Sequence, residues 1–428
     1  MKKAVFFLML LLPLKVMANG YTLPDTGGNF SSPVDPNPAA IYWNPSAISF
    51  SEGINGFLDI SPFYFRARYK RSGNSYERVR YEGTDFLPFV GATYTLKMKK
   101  FIKSLSGGFA FYTPFGAEAH YPEDGPQKFQ GVDGANYLMN LSPSISLKIT
   151  DFLSIGFALN IGFGSFYANG SALLDENGEE IPSNEAKYEF NDLTGTAFGY
   201  SAGIFFRPAK FLDLGISYTS PMDMVHSGKF RFYATEESKN IFDIIFKSSD
   251  FTGDAEVEID YPAFLSFGAK IKPMKRLEFN LTFQWFDWSY YEVMKIKIKN
   301  GKDRVTGDEV NIGLIESMDY ETNFKDAISF KIDARFKPWR KWTFLLGTGY
   351  DQSGIPDTHL SVMNLEFDKI EILGGALFEI SKNMFVSGGI NFYIPFSRDV
   401  KDSQLLPPAN GKYSAEGVKG DIAIGFRL

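Results

Sequence analysis

The residue types that most often perform catalysis are few in this chain and lie far apart. Only three histidines, His120, His226 and His359, occur among 428 residues, and there is no cysteine. None of the three has a carboxylate or serine at a spacing that forms a metal site or a nucleophile–base pair. The glycines of residues 162–164 lie within an alternating apolar segment and do not form a phosphate-binding loop. The sequence therefore predicts a protein that is not an enzyme and holds no metal or cofactor.

A second group of residues has the pattern of a binding surface. Within residues 238–247, Ile241, Phe242, Ile245 and Phe246 recur at helical spacing. This spacing predicts a short amphipathic helix in a polar loop. Its apolar face needs a partner, either the neighbouring loops or a hydrophobic ligand.

A third group consists of basic residues at one alternating segment. Lys325 precedes the segment, and Lys331 and Arg335 lie on its polar face. A cation in a sheltered position holds a carboxylate by charge-assisted hydrogen bonds, so these residues are candidates for contact with an acidic headgroup. For Lys325 the alternative is an exposed ion pair with Asp326, which would contribute little to stability.

The composition is typical of a β-barrel in an outer membrane. Aromatic residues make up 16% of the chain, Gly occurs 40 times, and the mean hydropathy is −0.14. The apolar run over residues 4–14 is shorter than the ~20 residues of a spanning helix, which disfavours an N-terminal anchor. Together with Lys2 and Lys3 before it and the small-residue pattern after it, the run predicts a signal peptide over residues 1–18. The formal net charge of −6 argues against nucleic acid as a partner.

From residue 54 onward, bulky apolar residues alternate with small or polar ones. Residues 153–164 and 277–285 show this period of two most clearly, which indicates β-strands. A bulky apolar face opposite a small polar face favours a barrel in lipid over a soluble β-sandwich. The number of such segments, fourteen, is even, as in bacterial barrels. The predicted strands span residues 54–67, 85–97, 104–114, 136–149, 152–166, 194–208, 211–220, 257–272, 275–288, 326–338, 341–351, 367–380, 383–395 and 417–428.

The connections between these strands alternate between short turns and long loops. This asymmetry is typical of an outer-membrane barrel and predicts that both termini lie on the periplasmic side. Lys295, Lys297 and Lys299 alternate with Ile296 and Ile298, which predicts a strand that extends above the membrane, where it would meet lipopolysaccharide. The short turns are predicted at Thr150-Asp151, Ala209-Lys210, Pro273-Met274, Trp339-Arg340 and Ser381-Lys382. The long loops are predicted at 68–84, 115–135, 167–193, 221–256, 289–325, 352–366 and 396–416.

The residues between the signal peptide and the first strand do not alternate. Residues 19–53 are rich in Pro, Gly and Asn. One interpretation is a disordered periplasmic segment. The other is a plug, because fourteen strands enclose more space than their own side chains fill. The predicted fold is an all-β, 14-stranded antiparallel transmembrane β-barrel over residues 54–428, with an N-terminal hatch (plug) inside the lumen over residues 19–53.

Seven short motifs, in order along the whole mature chain, resemble those of the FadL/TodX family of outer-membrane transporters for long-chain fatty acids and other hydrophobic compounds. The sequence departs from the family pattern at Ser46 in the hatch motif, at Gly354, and at Leu428, where many such barrels end in Phe. The motifs are Asn19-Gly20-Tyr21, Trp43-Asn44-Pro45-Ser46, Thr113-Pro114-Phe115-Gly116, Tyr218-Thr219-Ser220-Pro221, Trp285 to Ser289, Phe324-Lys325-Asp326, and Asp351-Gln352-Ser353-Gly354-Ile355-Pro356-Asp357.

The resemblance implies passive uptake of a long-chain fatty acid or a similar hydrophobic molecule. A groove between the third and fourth outer loops would capture the ligand, the hatch would sense it inside the barrel, and a gap at the third strand would release it sideways. The residues implied for the groove are Leu173, Leu174, Ile241, Phe242, Ile245 and Phe246. Those implied for the inner site are Tyr21, Lys325, Lys331 and Arg335, those for the hatch Asn44 and Pro45, and those for the lateral gate Gly107, Gly108 and Pro114.

Three other functions stay open on the sequence alone. A carrier of hydrocarbons or aromatic compounds would not need Lys325, Lys331 and Arg335. A general aqueous porin would conduct ions and tolerate changes in residues 241–246. A structural or adhesive surface barrel would not depend on the hatch. We expect a monomer whose partners are a hydrophobic small molecule, outer-membrane lipid and lipopolysaccharide.

Overall fold

The computed structural model describes residues 26–73, 77–99, 101–174 and 180–428. Within them the chain forms a closed antiparallel β-barrel of fourteen strands, in which each strand pairs with its sequence neighbours and the last pairs with the first. The all-β, fourteen-stranded prediction is confirmed. The predicted signal peptide and Tyr21 lie outside the described residues.

Several strands consist of two ladder segments interrupted by a short irregular stretch. The strands, numbered β1 to β14 along the chain, are Gly53–Arg71, Val79–Lys97, Ser104–His120, Asp133–Lys148, Leu153–Leu173, Glu185–Ala209, Leu212–Thr219 continued by Met222–Ala234, Asp250–Tyr261 continued by Phe264–Met274, Leu277–Phe286 continued by Val293–Asp303, Ser317–Glu321 continued by Ala327–Trp339, Trp342–Asp351, Lys369–Glu379, Met384–Pro395 with Arg398–Val400, and Gly411–Arg427.

The two faces of each strand have opposite chemistry, as the alternation predicts. In β5 the side chains of Ile155, Phe157 and Leu159 are exposed on the outside, whereas those of Ser154 and Asn160 are buried in the lumen. Exposed aromatic side chains, including Trp339 and Trp342, gather at the end of the barrel that carries the short turns. An apolar outer band flanked by aromatic residues is the surface that a bilayer requires. We call this end the turn end, and the opposite one the loop end.

The predicted long loops are too long, because the strands continue far beyond the apolar band. At the loop end the alternation inverts: Ile296 and Ile298 are buried inside, and Lys295 and Lys299 pair outside with Glu258 and Glu256. Water rather than lipid surrounds this part of the wall, so charge faces outward. Because strands with the inverted pattern have no apolar outer face, the alternation predicts loops at these positions. The short turns are correct to within one residue except Pro273-Met274, which lies in β8; the turn there is Lys275-Arg276.

Two α-helices accompany the barrel in the described residues, with single 3₁₀ turns at Pro182–Asn184, Trp288–Tyr290 and Asp357–His359. The helix α1 (Ala40–Trp43) leads into a 3₁₀ turn at Pro45–Phe50, and both are almost entirely buried. The helix α2 (Lys239–Phe246) lies between β7 and β8 at the loop end. None of the helices in the part of the chain that the structure describes is long and apolar enough to cross a membrane.

Candidate functional site

Residues 26–52, which we call the lumen segment, contact strands on all sides of the ring. The Asn44 amide at its centre is fully buried and donates hydrogen bonds to the carbonyl oxygens of Pro33 and Ile204, each at 3.1 Å. Its Oδ1 accepts from the backbone N–H and the hydroxyl of Ser46. The Ser46 carbonyl in turn accepts from Ser146 and Ser154 in the wall, at 3.0 and 2.8 Å. Asn44 and Pro45 therefore form a turn that is fixed to β4, β5 and β6.

Glycines in the wall make room for this turn. A Cβ atom on Gly156 would lie 2.3 Å from the Ser46 nitrogen, and one on Gly203 would lie 2.2 Å from the Asn44 Oδ1. Gly215 and Gly268 likewise leave room for the backbone and the ring of Pro33. A contact under 3 Å excludes any larger side chain, so the wall is shaped for this segment.

A buried ion cluster joins the lumen segment to the opposite wall. The Asp35 carboxylate accepts two hydrogen bonds from Arg335, at 2.8 and 3.0 Å, and another from Lys270. Asp333 also holds Arg335, at 3.1 Å. Burial would raise the pKa of Asp35, but the charges of Arg335 and Lys270 and their hydrogen bonds outweigh it and hold that pKa well below its ordinary value. Asp35 is therefore ionised at neutral pH.

The lumen segment separates the turn end of the barrel from the loop end. Below it, a cavity of about 900 Å³ opens at the turn end and is lined by residues such as Asp35, Lys275, Arg276 and Arg427. Above it, aromatic side chains fill the barrel: Phe115 stacks on Tyr261 and meets Trp288 edge to face. A molecule that enters at the loop end therefore meets the lumen segment before it could reach the turn end.

The wall itself has a break between β2 and β3. Their ladder runs from Lys97–Ser104 to Phe89–Tyr112 and stops there, although both strands continue. Residues 79–88 of β2 still pair with β1, and residues 115–120 of β3 still pair with β4. We call the unpaired boundary between residues 79–88 and 113–120 the seam.

A bulge explains why the strands part. Against β4, the register of β3 advances three residues from Tyr112 to Phe115, while β4 advances only two. The extra residue lies at Thr113-Pro114, and proline cannot donate a hydrogen bond to the ladder. The bulge redirects β3 away from β2, so the seam begins at this point.

The inner side of the seam is narrow, and Asp85 and Glu118 lie there among apolar side chains. Phe63, Phe65, Tyr81 and Leu87 line a cavity there of about 10 Å³, which is the space of roughly one water molecule. A second cavity of this size lies at the lower end of the seam and includes Thr26 and Gly27, the first described residues of the lumen segment. The seam is closed to any organic ligand in this structure and borders the lumen segment.

The predicted gate residues do not all lie at the seam. Pro114 is in the bulge, as expected of a residue that interrupts pairing. Gly107 and Gly108, in contrast, lie in uninterrupted ladders with both β2 and β4. The bend in the third strand therefore arises at Thr113-Pro114 and not at the two glycines, because it is the extra residue that breaks the register.

The helix predicted for the fourth loop is present as α2, and two of its predicted binding residues are inside. Phe242 and Phe246 are fully buried against Phe232 and Phe251. Ile241 and Ile245 are half-buried, and the exposed apolar residue is Ile244. On the third loop, Leu173 and Leu174 are also buried. In this structure these residues pack the loops together, and a capture groove would need them to move apart.

The three predicted cations have different surroundings. Lys325 is exposed in the irregular stretch between the two segments of β10. Lys331 and Arg335 are buried in the lumen, as the alternation predicts. The Lys331 ammonium lies 5.9 Å from the centre of the Trp43 ring, and Arg335 is held by Asp35. Arg335 thus contacts the lumen segment, and its role as a headgroup contact remains a prediction.

The histidines lie in separate environments. His120 is exposed, His226 is buried among lumen residues, and the ring nitrogens of His359 approach Thr358 and Asn323. Among residues 26–73, 77–99, 101–174 and 180–428, no group of three or more His, Asp or Glu side chains could hold a metal ion.

The family model for outer membrane protein transport proteins (OMPP1/FadL/TodX) matches residues 17–419 of this chain. The chain belongs to this family. The family resemblance predicted from the motifs is confirmed, and the protein is an outer-membrane β-barrel related to transporters and channels rather than to enzymes.

Three solved structures share the fold. A FadL homologue of Pseudomonas aeruginosa has 16% identity and a TM-score of 0.78, with 96% of this chain and 99% of that one covered. The Ralstonia pickettii toluene transporter TbuX has 16% identity and a TM-score of 0.69, with coverage of 96% and 98%. The Pseudomonas putida toluene transporter TodX has 14% identity and a TM-score of 0.70, with coverage of 92% and 94%.

A curated relative matches over a shorter part of the chain. A long-chain fatty acid transport protein of Escherichia coli is 19% identical over 221 residues, which are 50% of this chain. The match spans 46% of that protein, so about half of its length has no counterpart in the alignment.

Proposed function

We propose that this protein is a passive outer-membrane transporter that takes up hydrophobic small molecules at the loop end and releases them sideways through the seam. The observation that carries this proposal is the pairing of two features. The lumen segment blocks the axial route, and the β2–β3 ladder stops beside it at Phe89–Tyr112. A molecule that has entered the lumen would then leave through the wall at the lower end of the seam, where the outward-facing Phe86 is exposed.

The lumen segment is suited to the role of a hatch. Tyr42 of α1 meets the ring of Tyr112 edge to face at 5.3 Å, and Tyr112 is the last paired residue of β3 before the bulge. A shift of this segment would therefore act on the end of the ladder directly. We infer that the hatch senses the ligand from inside the lumen and that the seam widens in response.

The ligand class follows from the chemistry of the path. Phe63, Phe65 and Leu87 give the inner side of the seam an apolar surface, and apolar burial stabilises a hydrocarbon chain by about 0.8 kcal/mol per CH₂ before costs. The related proteins are named for fatty acids and for toluene. Long-chain fatty acids and uncharged hydrocarbons are thus the two candidate ligand classes. In the proposed orientation the loop end faces outward and both ends of the chain lie in the periplasm.

A general aqueous porin is the competing function. A porin needs an open polar channel, whereas the lumen here is crossed by Asn44 and Asp35 with their buried partners. The porin hypothesis therefore predicts ion conductance that this structure does not favour.

The test is uptake by cells that lack their own fatty-acid transporter. Deleting Pro114 removes the extra residue and lets β3 continue its ladder, so we expect the seam to close and uptake of labelled ligand to be lost. The matched control is deletion of Asp192, which removes a comparable bulge in β6, where β6 advances three residues against two in β5. Equal uptake by both variants, each shown to be folded in the outer membrane, would rule out the seam as the exit.

A further inference from the structure

Two carboxylates line the seam. Asp85 of β2 and Glu118 of β3 stand on opposite sides of the break. Tyr137 of β4 reaches over Gly116, where a Cβ would lie 2.8 Å from the tyrosine ring. Its hydroxyl oxygen lies 3.2 Å from Asp85 Oδ1 and 2.9 Å from Glu118 Oε2. Within the described ranges, neither carboxylate forms a salt bridge with a Lys, Arg or His side chain.

The geometry brings the two acids close together. Because both oxygens lie within hydrogen-bonding distance of one hydroxyl, they are at most 6.1 Å apart, the sum of the two distances. A single hydroxyl has one proton to donate, so it satisfies one carboxylate at a time. The hydroxyl carries no positive charge, so the group that bridges the two acids does not neutralise them.

The neighbouring titratable groups strengthen this field. Asp133 accepts a hydrogen bond from Tyr167 and is approached by His120 at 3.6 Å. Tyr81 contributes an uncharged ring on the lumen side. Lys419 of β14 lines the cavity at the lower end of the seam together with Asp59. Arg66 and Arg80 of β1 and β2 point outward and pair with Glu82. Acids therefore dominate the polar lining of the break in the wall.

We propose that Asp85 and Glu118, bridged by Tyr137, make the seam a charge filter that passes uncharged hydrophobic molecules and rejects carboxylates. This inference rests on the proposed lateral exit and narrows its ligand class. A like charge within a few ångströms in a sheltered site is strongly repelled, and rings of one charge sign set selectivity in pores by the same means. A hydrocarbon, an aromatic or a long-chain alcohol meets no such barrier.

The test compares two ligands of equal chain length, palmitate and hexadecanol, in the same uptake assay. In the double variant Asp85→Asn, Glu118→Gln, we expect palmitate uptake to rise at least tenfold and hexadecanol uptake to stay within twofold of the unmodified protein. The control is Glu82→Gln, an outward-facing acid of the same strand, which should change neither rate. If the double variant does not reach the membrane, Glu118→Gln alone should raise palmitate uptake at least threefold.

The outcomes separate the filter from the transporter. If palmitate and hexadecanol both enter and neither acid variant changes their ratio, the filter is wrong and the lateral exit stands. If the unmodified, folded protein admits neither ligand, the proposed function itself is wrong. A rise of both ligands together in the double variant would indicate a wider seam without charge selection and would also overturn the filter.

Discussion

The Asp35→Ala substitution should release the lumen segment from the wall and make the barrel leak. The change leaves Lys270 and Arg335 buried without the carboxylate that holds both. Breaking a buried ion pair by removing one partner costs about 3–5 kcal/mol. In the variant Arg335 still pairs with Asp333 at 3.1 Å, and Lys270 still pairs with Glu278 at 3.7 Å. We therefore expect a cost at the lower end of this range. About 3 kcal/mol raises the population with a displaced segment roughly a hundredfold.

Single-channel conductance in planar bilayers measures this population directly. The Asp35→Ala variant should show frequent ion-conducting openings that are rare in the unmodified barrel. Asp254→Ala is the matched control, because its partner Lys229 is mostly exposed and such surface pairs contribute little. Unchanged conductance in the Asp35 variant would refute the ion cluster as an anchor.

The same anchor should not respond to pH in the physiological range. A carboxylate whose folded pKa is depressed contributes its full stability above the unfolded pKa, near 3.9, and loses it only as the pH falls through the lower folded value. The unmodified barrel should therefore stay closed from pH 8 down to about pH 4. Openings that appear already at pH 6 would contradict this assignment.

Three further predictions concern packing and protonation. Gly203→Leu should cause the same leak as Asp35→Ala, because a Cβ at residue 203 would lie 2.2 Å from Asn44 Oδ1. Gly107→Ala should not cause a leak, because the nearest atom to a Cβ at residue 107 is 3.8 Å away. Single-channel conductance distinguishes the two variants. Phe242→Ala should cost the loop end about 3–5 kcal/mol and expose α2 to hydrogen exchange, while Ile244→Ala, at an exposed site, should leave protection unchanged. Burial raises the pKa of Glu366 well above its ordinary value, so its segment should lose stability as the pH rises from about 4.3. In Glu366→Gln, hydrogen exchange of residues 352–368, corrected for intrinsic rates, should lose this pH dependence.

The barrel was predictable from the sequence because a bilayer imposes a strict rule on each strand. Segments such as residues 153–164 must present bulky side chains to lipid and small or polar ones to the lumen, and all fourteen predicted segments have a strand at their position. Beyond the bilayer the rule no longer holds. The loop-end half of β7, Met222–Ala234, was therefore predicted as loop.

The site was less predictable, because its contacts join residues far apart in the chain. Asp35 meets a partner 300 residues away, and no local pattern indicates that pairing. The sequence does contain one indication of an acidic partner: Lys270 and Arg335 lie on lumen faces, where a buried charge needs a counter-charge. Gly156 and Gly203, the glycines that make room for the turn at Asn44, also lie on lumen faces. Their role becomes clear only once the position of that turn is known.

The seam illustrates a different limit. Pro114 indicated a local break in β3, but the loss of the ladder with β2 depends on the register of three strands at once. The pair Asp85 and Glu118 was missed because the two lie 33 positions apart and meet only where the wall is open. Acids on opposite sides of a predicted proline bulge are the signal that could have found them.

Photolabelling tests the lateral route most directly. A long-chain alcohol with a diazirine at its end would be added at the loop side of the barrel in liposomes, activated by light, and its adducts mapped by mass spectrometry. Lateral exit predicts adducts on Phe63, Leu87 and the outward-facing Phe86 at the seam. Phe30 and Phe50 line the turn-end cavity. If adducts form on these two residues and none form at the seam, the ligand passes the lumen segment along the barrel axis, which would contradict lateral exit.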